Sequence, residues 1–200
     1  MRLLIIRHGE SQADLLGVHE GRADFELTQR GLDQAKALAC YVSKHYSLSA
    51  IYCSPLKRAW QTGLLLSQMT KVPLFSCNEL MEFDNGLIAG MDKRNAREKY
   101  PRIHPLPIHT SVYEQESLLS FRFRAEYILS RMMSEQQGDS TVAAITHGGM
   151  INQLYHAFLC LPVDSNFVIR TGNTGIHEWL ISDESRQIIC ANRLIHKKDL

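Results

Sequence analysis

The chain has 200 residues, with 22 Lys+Arg against 21 Asp+Glu and a formal charge of +1 when His is neutral. That length suits one sizeable domain whose core needs neither disulfide nor metal. The charge balance argues against a nucleic-acid-binding domain, a polybasic membrane-surface protein or an acidic disordered tail, and 44% hydrophobic with 22% charged residues is the composition of an ordinary globular protein.

Arg2–Ile6 is a short apolar run that breaks at a polar, Gly-containing turn, the pattern of a buried parallel strand feeding a loop. A polar loop holding Gly17 and Gly21 comes next. Thr28 is an N-cap for a helix reaching about Tyr46, with Leu32, Ala35, Leu38, Ala39 and Val42 on one stripe. Ala50–Cys53 reads as a second strand, Leu56 to about Met69 as a helix after Ser54-Pro55, and Leu74–Cys77 as a third strand. From Phe83 to about Tyr113 the pattern loosens. Pro101, Pro105 and Pro107 forbid a regular element there, and Asp92–Lys99 before them suits one short exposed helix. Leu118 to about Gln137 is an amphipathic helix, Thr141–Ile145 a strand, Gly149–Leu159 a helix, and Gly175–Ile181 and Gln187–Leu194 two late strands. This alternation predicts an α/β fold: a three-layer α/β/α sandwich with a mostly parallel sheet, one domain over residues 1–200, and a small helical cap inserted at about 83–138. An exposed sheet edge makes a homodimer unsurprising.

The cysteines Cys40, Cys53, Cys77, Cys160 and Cys190 are scattered without a CxxC pair and read as reduced, mostly buried thiols. Leu3–Ile6 is too short for a secretory apolar core, and no stretch has the length of a membrane span. The expected location is the cytoplasm, with no membrane or nucleic-acid partner. The histidines outside the strand ends, His196 among them, lack metal-ligand spacing.

Ligands of such sheets bind beyond the carboxyl ends of the strands. Three predicted strands end in reactive residues: Arg7-His8-Gly9-Glu10-Ser11, Ser54-Pro55-Leu56-Lys57-Arg58 and Thr146-His147-Gly148-Gly149. Arginines offer planar forks that match phosphate oxygens, and a histidine can attack phosphorus or donate to it. Gly9, Gly148 and Gly149 let backbone N–H groups approach an oxyanion. Spacing alone therefore yields an anion site with a candidate nucleophile.

With these residues the chain resembles the histidine phosphatase superfamily (branch 1), which includes the cofactor-dependent phosphoglycerate mutases. Arg7 to Ser11 meets its opening signature, and the match continues through Gly17, Gly21, Asp24, Leu27, Thr28, Gly31, Gln34 and Ala35. Ser54 to Thr62 is similar to its second arginine motif, Leu80-Met81-Glu82 with Gly86 and Gly90 to its acidic motif, and Thr146 to Gly149 to its second histidine motif. Glu116-Ser117 with Arg124 downstream fits the start of the long cap-side helix. The resemblance spans about residues 1 to 180.

It implies that His8 attacks the phosphorus of a phosphomonoester to give a phosphohistidine, which water then hydrolyses. Arg7, Arg58 and His147 would hold the non-bridging oxygens, and Glu82 would protonate the leaving group and later activate water. Ser11, Asp14, Glu20, Gly21 and Gly148 complete the candidate substrate-binding set. No metal and no cofactor are implied, and the partner is a small phosphorylated metabolite. One departure concerns Asp14, where the family usually has Asn: it turns outward, or is protonated, or lowers phosphate affinity. Glu20 stands where Gln is common, and Glu26 where Pro is common. These extra acids leave the substrate class open. The implied function is a metal-independent phosphatase. The alternatives are a cofactor-dependent phosphoglycerate mutase, with Lys93, Arg94 and Arg97 receiving a substrate carboxylate, and a catalytically inactive binding protein.

Overall fold

The opening apolar run forms strand β1 (Arg2–Arg7), whose four central residues are buried on both faces. In a computed structural model, which describes residues 1–136 and 138–194, Leu3 and Ile5 join one apolar cluster while Leu4 and Ile6 join another. Alternation along one strand thus divides the core into two layers. Gln137, the expected end of the long helix, and His196 lie outside the described residues.

After β1 come α1 (Gln12–Leu16), α2 (Gln29–His45), β2 (Ala50–Cys53), α3 (Lys57–Thr70), β3 (Leu74–Ser76), α4 (Lys93–Lys99), α5 (Leu118–Glu135), β4 (Thr141–Thr146), α6 (Gly148–Phe158), β5 (Ile176–Ile181) and β6 (Arg186–Arg193). The sheet order is β3-β2-β4-β1-β5-β6, parallel from β3 to β1 and antiparallel through β5 and β6. Leu38, Ala39 and Val42 of α2 with Ala59 and Leu66 of α3 cover one face. Phe121, Ala125, Ile128, Leu129 and Met132 of α5 with Met150, Ile151 and Leu154 of α6 cover the other. This is the expected three-layer α/β/α sandwich.

Two details differ from expectation. The supposed loop after β1 contains α1, which is too short to show a periodicity. Its ends are nevertheless well made: Ser11 and Asp14 form a reciprocal capping box, and Gly17 at φ 67° ends it. The five cysteines are unpaired thiols, but only Cys53 and Cys77 are buried, and Cys160 is exposed. Between Phe83 and Glu116 only Ala96 is buried, so this stretch stands off the layers, whereas α5 packs on the sheet. No helix among the described residues is long and apolar enough to cross a membrane.

Sheet register positions the chemistry. Arg7 at the end of β1 pairs with Thr146 at the end of β4, and Cys53 of β2 pairs with Ile145. The next residues, His8, His147 and Ser54, therefore leave the sheet side by side.

Candidate active site

His8 is 1% exposed and held by backbone on every side. Its N–H donates to the Thr146 carbonyl at 3.0 Å, and its own carbonyl accepts Thr174 N–H at 3.1 Å. The turn behind it presses against the start of α2, and a Cβ on Gly9 would lie 2.5 Å from the Gly31 carbonyl oxygen. Gly9 N–H donates to Thr62 Oγ1 at 3.1 Å, and that hydroxyl donates to the Arg58 carbonyl at 2.8 Å. One helical residue thus joins the His8 turn to the Arg58 turn.

The imidazole Nδ1 lies 2.7 Å from the Gly9 carbonyl, which can only accept, so Nδ1 carries the proton and the Nε2 lone pair faces the site. Burial, then the charges of Arg58 and Arg7, push its pKa well below 6.5. His147 is fully buried, with its ring centroid 5.1 Å from that of His8, and the same forces lower its pKa. Its Nε2 lies 2.8 Å from Ser54 Oγ, which itself accepts Leu56 N–H at 3.3 Å. Ser54 Oγ has a hydrogen to offer Nε2, and in that tautomer His147 carries its proton on Nδ1 as a donor to the site.

Arg58, at 0% exposure, spends its terminal nitrogens on the Ala23 carbonyl at 3.0 Å and the Gly21 carbonyl at 2.7 Å. Arg7 donates to the Thr171 carbonyl at 2.8 Å and to Asp14 Oδ1 at 3.0 Å. Arg7 Nε and His147 Nδ1 remain without a hydrogen-bond partner, and Arg58 Nε makes no hydrogen bond but is ion-paired with Glu20 Oε1 at 3.1 Å. Unmade hydrogen bonds of buried donors are costly, and these groups beside the Nε2 lone pair of His8 make a candidate seat for an oxyanion.

Glu82 arrives from the far side. Its carboxylate accepts Phe83 N–H and Gly149 N–H, each at 2.8 Å. Arg124 fixes its turn by donating to the carbonyls of Glu79, Met81 and Glu82 while pairing with Glu116 at 2.6 Å. Beside Phe83 opens a cavity of about 360 Å³, lined by His19, Phe83, Arg97, Tyr100, Arg102 and Tyr113 among others. Burial and the charges of Lys93, Arg102 and Arg97 lower the pKa of His19, so this cavity is electropositive.

The remaining candidates take unequal places. Ser11 caps α1 and donates its hydroxyl to Glu20, whose carboxylate lies 3.1 Å from Arg58 Nε. Asp14 is an exposed residue whose carboxylate is nevertheless held by Arg7 at 3.0 Å, the Ser11 amide at 3.1 Å and Asn173 at 2.9 Å. Burial raises its pKa, but Arg7, the Ser11 amide and Asn173 outweigh that and bring it below its ordinary value. Gly21 acts through its carbonyl on Arg58. Gly148 opens α6 with empty space where a Cβ would point. Thr171 and Asn173, which hold Arg7 and Asp14, come from a loop that carries no motif. Thr62 closes the second arginine motif in the sequence, but its bond to Gly9 is seen only in the fold. Among the described residues, no group of three or more His, Cys, Asp or Glu side chains is arranged to hold a metal ion.

An α/β sandwich with a buried, tautomer-fixed histidine facing guanidinium and imidazole donors at the carboxyl edge of its sheet is built for phosphoryl chemistry. The chain belongs to the histidine phosphatase superfamily (branch 1), whose pattern matches residues 3–193. It is 31% identical over 193 residues to phosphoserine phosphatase 1 of Hydrogenobacter thermophilus, covering 94% of this chain and 90% of that one. It is 38% identical over 172 residues to the adenosylcobalamin/alpha-ribazole phosphatase of Salmonella typhimurium, covering 82% and 83%. The crystal structure of the alpha-ribazole phosphatase from Shigella flexneri superposes with a TM-score of 0.85 at 26% identity, over 96% of each chain.

Proposed function

We propose that the protein hydrolyses phosphomonoesters of small metabolites through a phosphohistidine on His8 Nε2. The observation that carries this is the His8 side chain itself: buried, proton on Nδ1, charge suppressed, and its Nε2 lone pair beside the unpartnered Arg7 Nε and His147 Nδ1 and the ion-paired Arg58. In the first step Nε2 forms a bond to phosphorus while the ester P–O bond breaks, and Glu82 gives its proton to the leaving oxygen. Arg7, Arg58 and His147 take the charge spread over the non-bridging oxygens. In the second step water attacks phosphorus, the P–N bond breaks, and the water proton returns to Glu82. The phosphatase names of the relatives that match over most of both chains support hydrolysis over transfer to a second substrate hydroxyl. The unpaired thiols fit a reducing, cytoplasmic setting.

The test is a His8→Ala variant assayed on p-nitrophenyl phosphate, with alkaline quench of the wild type. Loss of turnover and an acid-labile, base-stable phosphate on the wild-type chain are expected. Undiminished turnover in the variant would refute the reading. Arg97 and Arg102 beside the site also suit the carboxylate of a phosphoglycerate. Interconversion of 2- and 3-phosphoglycerate faster than phosphate release would mark a mutase instead.

A further inference from the structure

Glu20 has no task in the two steps just described, yet its carboxylate is the anion nearest the nucleophile. Oε1 accepts the Ser11 hydroxyl and lies 3.1 Å from Arg58 Nε, while Oε2 lies 3.8 Å from His8 Nε2. Those are groups that a bound phosphate needs. The backbone around Glu20 is pinned. His19 N–H donates to the Met91 carbonyl at 2.8 Å, Gly90 N–H to the His19 carbonyl at 2.6 Å, and Ala23 N–H to the Glu20 carbonyl at 2.9 Å. Movement of the Glu20 side chain alone would leave the Gly21 and Ala23 carbonyls on Arg58.

We propose that Glu20 is a built-in occupant of the phosphoryl seat, which the phosphate of the substrate displaces with uptake of one proton. This rests on reading that pocket as the phosphoryl seat. As a carboxylate, Glu20 competes with phosphate for Arg58 and Ser11. As a carboxylic acid, it has a hydroxyl to donate to a phosphate oxygen, the service an amide would give at this position.

Burial, against its charged neighbours, singles out Glu20 as the group that takes the proton. Arg7 and His8 face it from the end of β1, Ser11 and Asp14 from α1, and Arg58 from α3. Burial raises its pKa, Arg58 and the Ser11 hydroxyl pull it down, and Asp14 pushes it up again, leaving it above the ordinary carboxylate value before any ligand arrives. An incoming dianion pushes in the same direction. Asp14 is held ionised by Arg7, the Ser11 amide and Asn173, and Asp24 is engaged by Lys57 N–H at 2.7 Å. Glu82 hydrogen-bonds two backbone amides rather than Ser11 or Arg58, and both histidines of the seat are held neutral.

The experiment measures tungstate, a tetrahedral dianion, by calorimetry between pH 6.5 and 8.5 on the wild type and Glu20→Gln. Wild-type affinity is expected to fall about tenfold per pH unit across the window between the free and bound pKa values of Glu20. Glu20→Gln is expected to bind with little pH dependence and more tightly than the wild type at pH 8. A slope shared by both proteins, or equal affinities at pH 8, overturns the proposal and leaves the phosphatase reading standing. Failure of tungstate to bind either protein overturns both. If Glu20→Gln does not fold, proton uptake by Glu82→Gln, which lacks the other acid, in buffers of different ionisation enthalpy decides: about one proton supports the proposal, and none overturns it.

Discussion

Gly149→Ala is a one-methyl perturbation that addresses the proposed acid without touching the phosphoryl seat. A Cβ at this position would lie 3.0 Å from Glu82 Cδ and 3.2 Å from Oε2, and closer still to Oε1. Gly149 sits in the first turn of α6, where alanine is otherwise favoured over glycine by about 0.5–1 kcal/mol. The collision must therefore be relieved by the Glu82 carboxylate, which loses the Gly149 amide now 2.8 Å away. A hydrogen bond to a charged acceptor is worth about 1.5–3 kcal/mol, which corresponds to roughly tenfold to a hundredfold in rate if the whole loss falls on the protonation step. The signature lies in the leaving group. With p-nitrophenyl phosphate, whose phenolate leaves without help, kcat should drop no more than a few-fold. With an alkyl phosphate such as phosphoserine, kcat should drop by about thirtyfold, because an alkoxide needs the proton. The assay is steady-state kinetics on both substrates, with a thermal melt to show that the fold is intact. Equal losses on the two substrates, or full activity on the alkyl ester, would refute the role assigned to Glu82 at the Gly149 amide.

Two further outcomes follow from buried groups. His177 is wholly buried, accepts the Tyr155 hydroxyl and the Asn192 amide at Nδ1, and has its pKa pushed down to about 4 by burial. The unfolded chain then binds the extra proton first, so unfolding free energy should fall by about 3 kcal/mol from this residue as pH drops from 6.5 to about 4. Urea titrations should show a shallower pH slope for His177→Gln, and an identical slope would count against this. Thr62→Val removes the acceptor of the Gly9 amide and should cost about 1–3 kcal/mol of stability. It should also lower kcat on p-nitrophenyl phosphate, since Gly9 sets the His8 ring; an unchanged kcat would show that the turn holds itself.

His8, Arg58 and His147 were legible because each follows closely on a strand end, and short apolar runs that stop at a polar turn are visible in a single sequence. That they meet is a matter of register: Arg7 opposite Thr146 and Cys53 opposite Ile145. Alternating elements made such a parallel sheet the natural expectation. Helix α1 was less legible because five residues carry no period, although Ser11 and Asp14 do spell its capping box. Thr171 and Asn173 lie more than 150 residues from Arg7 and Asp14 along the chain, on a loop delivered by β5, and no local pattern announces such contacts. Gly149 looked like a residue that frees backbone for an anion. Its tight constraint is the Glu82 carboxylate, which only the folded chain brings there.

The ionisation of Asp14 changes how the net charge of +1 should be understood. Around the seat two guanidinium groups are already answered by two carboxylates, Asp14 on Arg7 and Glu20 on Arg58, while both histidines are neutral. These two pairs are thus balanced among themselves, and a phosphate dianion entering without compensation would leave an excess of negative charge in a buried place. Of the two acids, Asp14 is tied down by three donors and cannot yield. Glu20 is tied to a hydroxyl and one guanidinium edge, and its pKa is already raised. A proton on Glu20 removes one of those negative charges and frees Arg58 Nε in the same act. Two features that a charge count treats as neutral, an acid in place of an amide and an arginine beside it, therefore make phosphate binding depend on pH without any shift of the catalytic histidine.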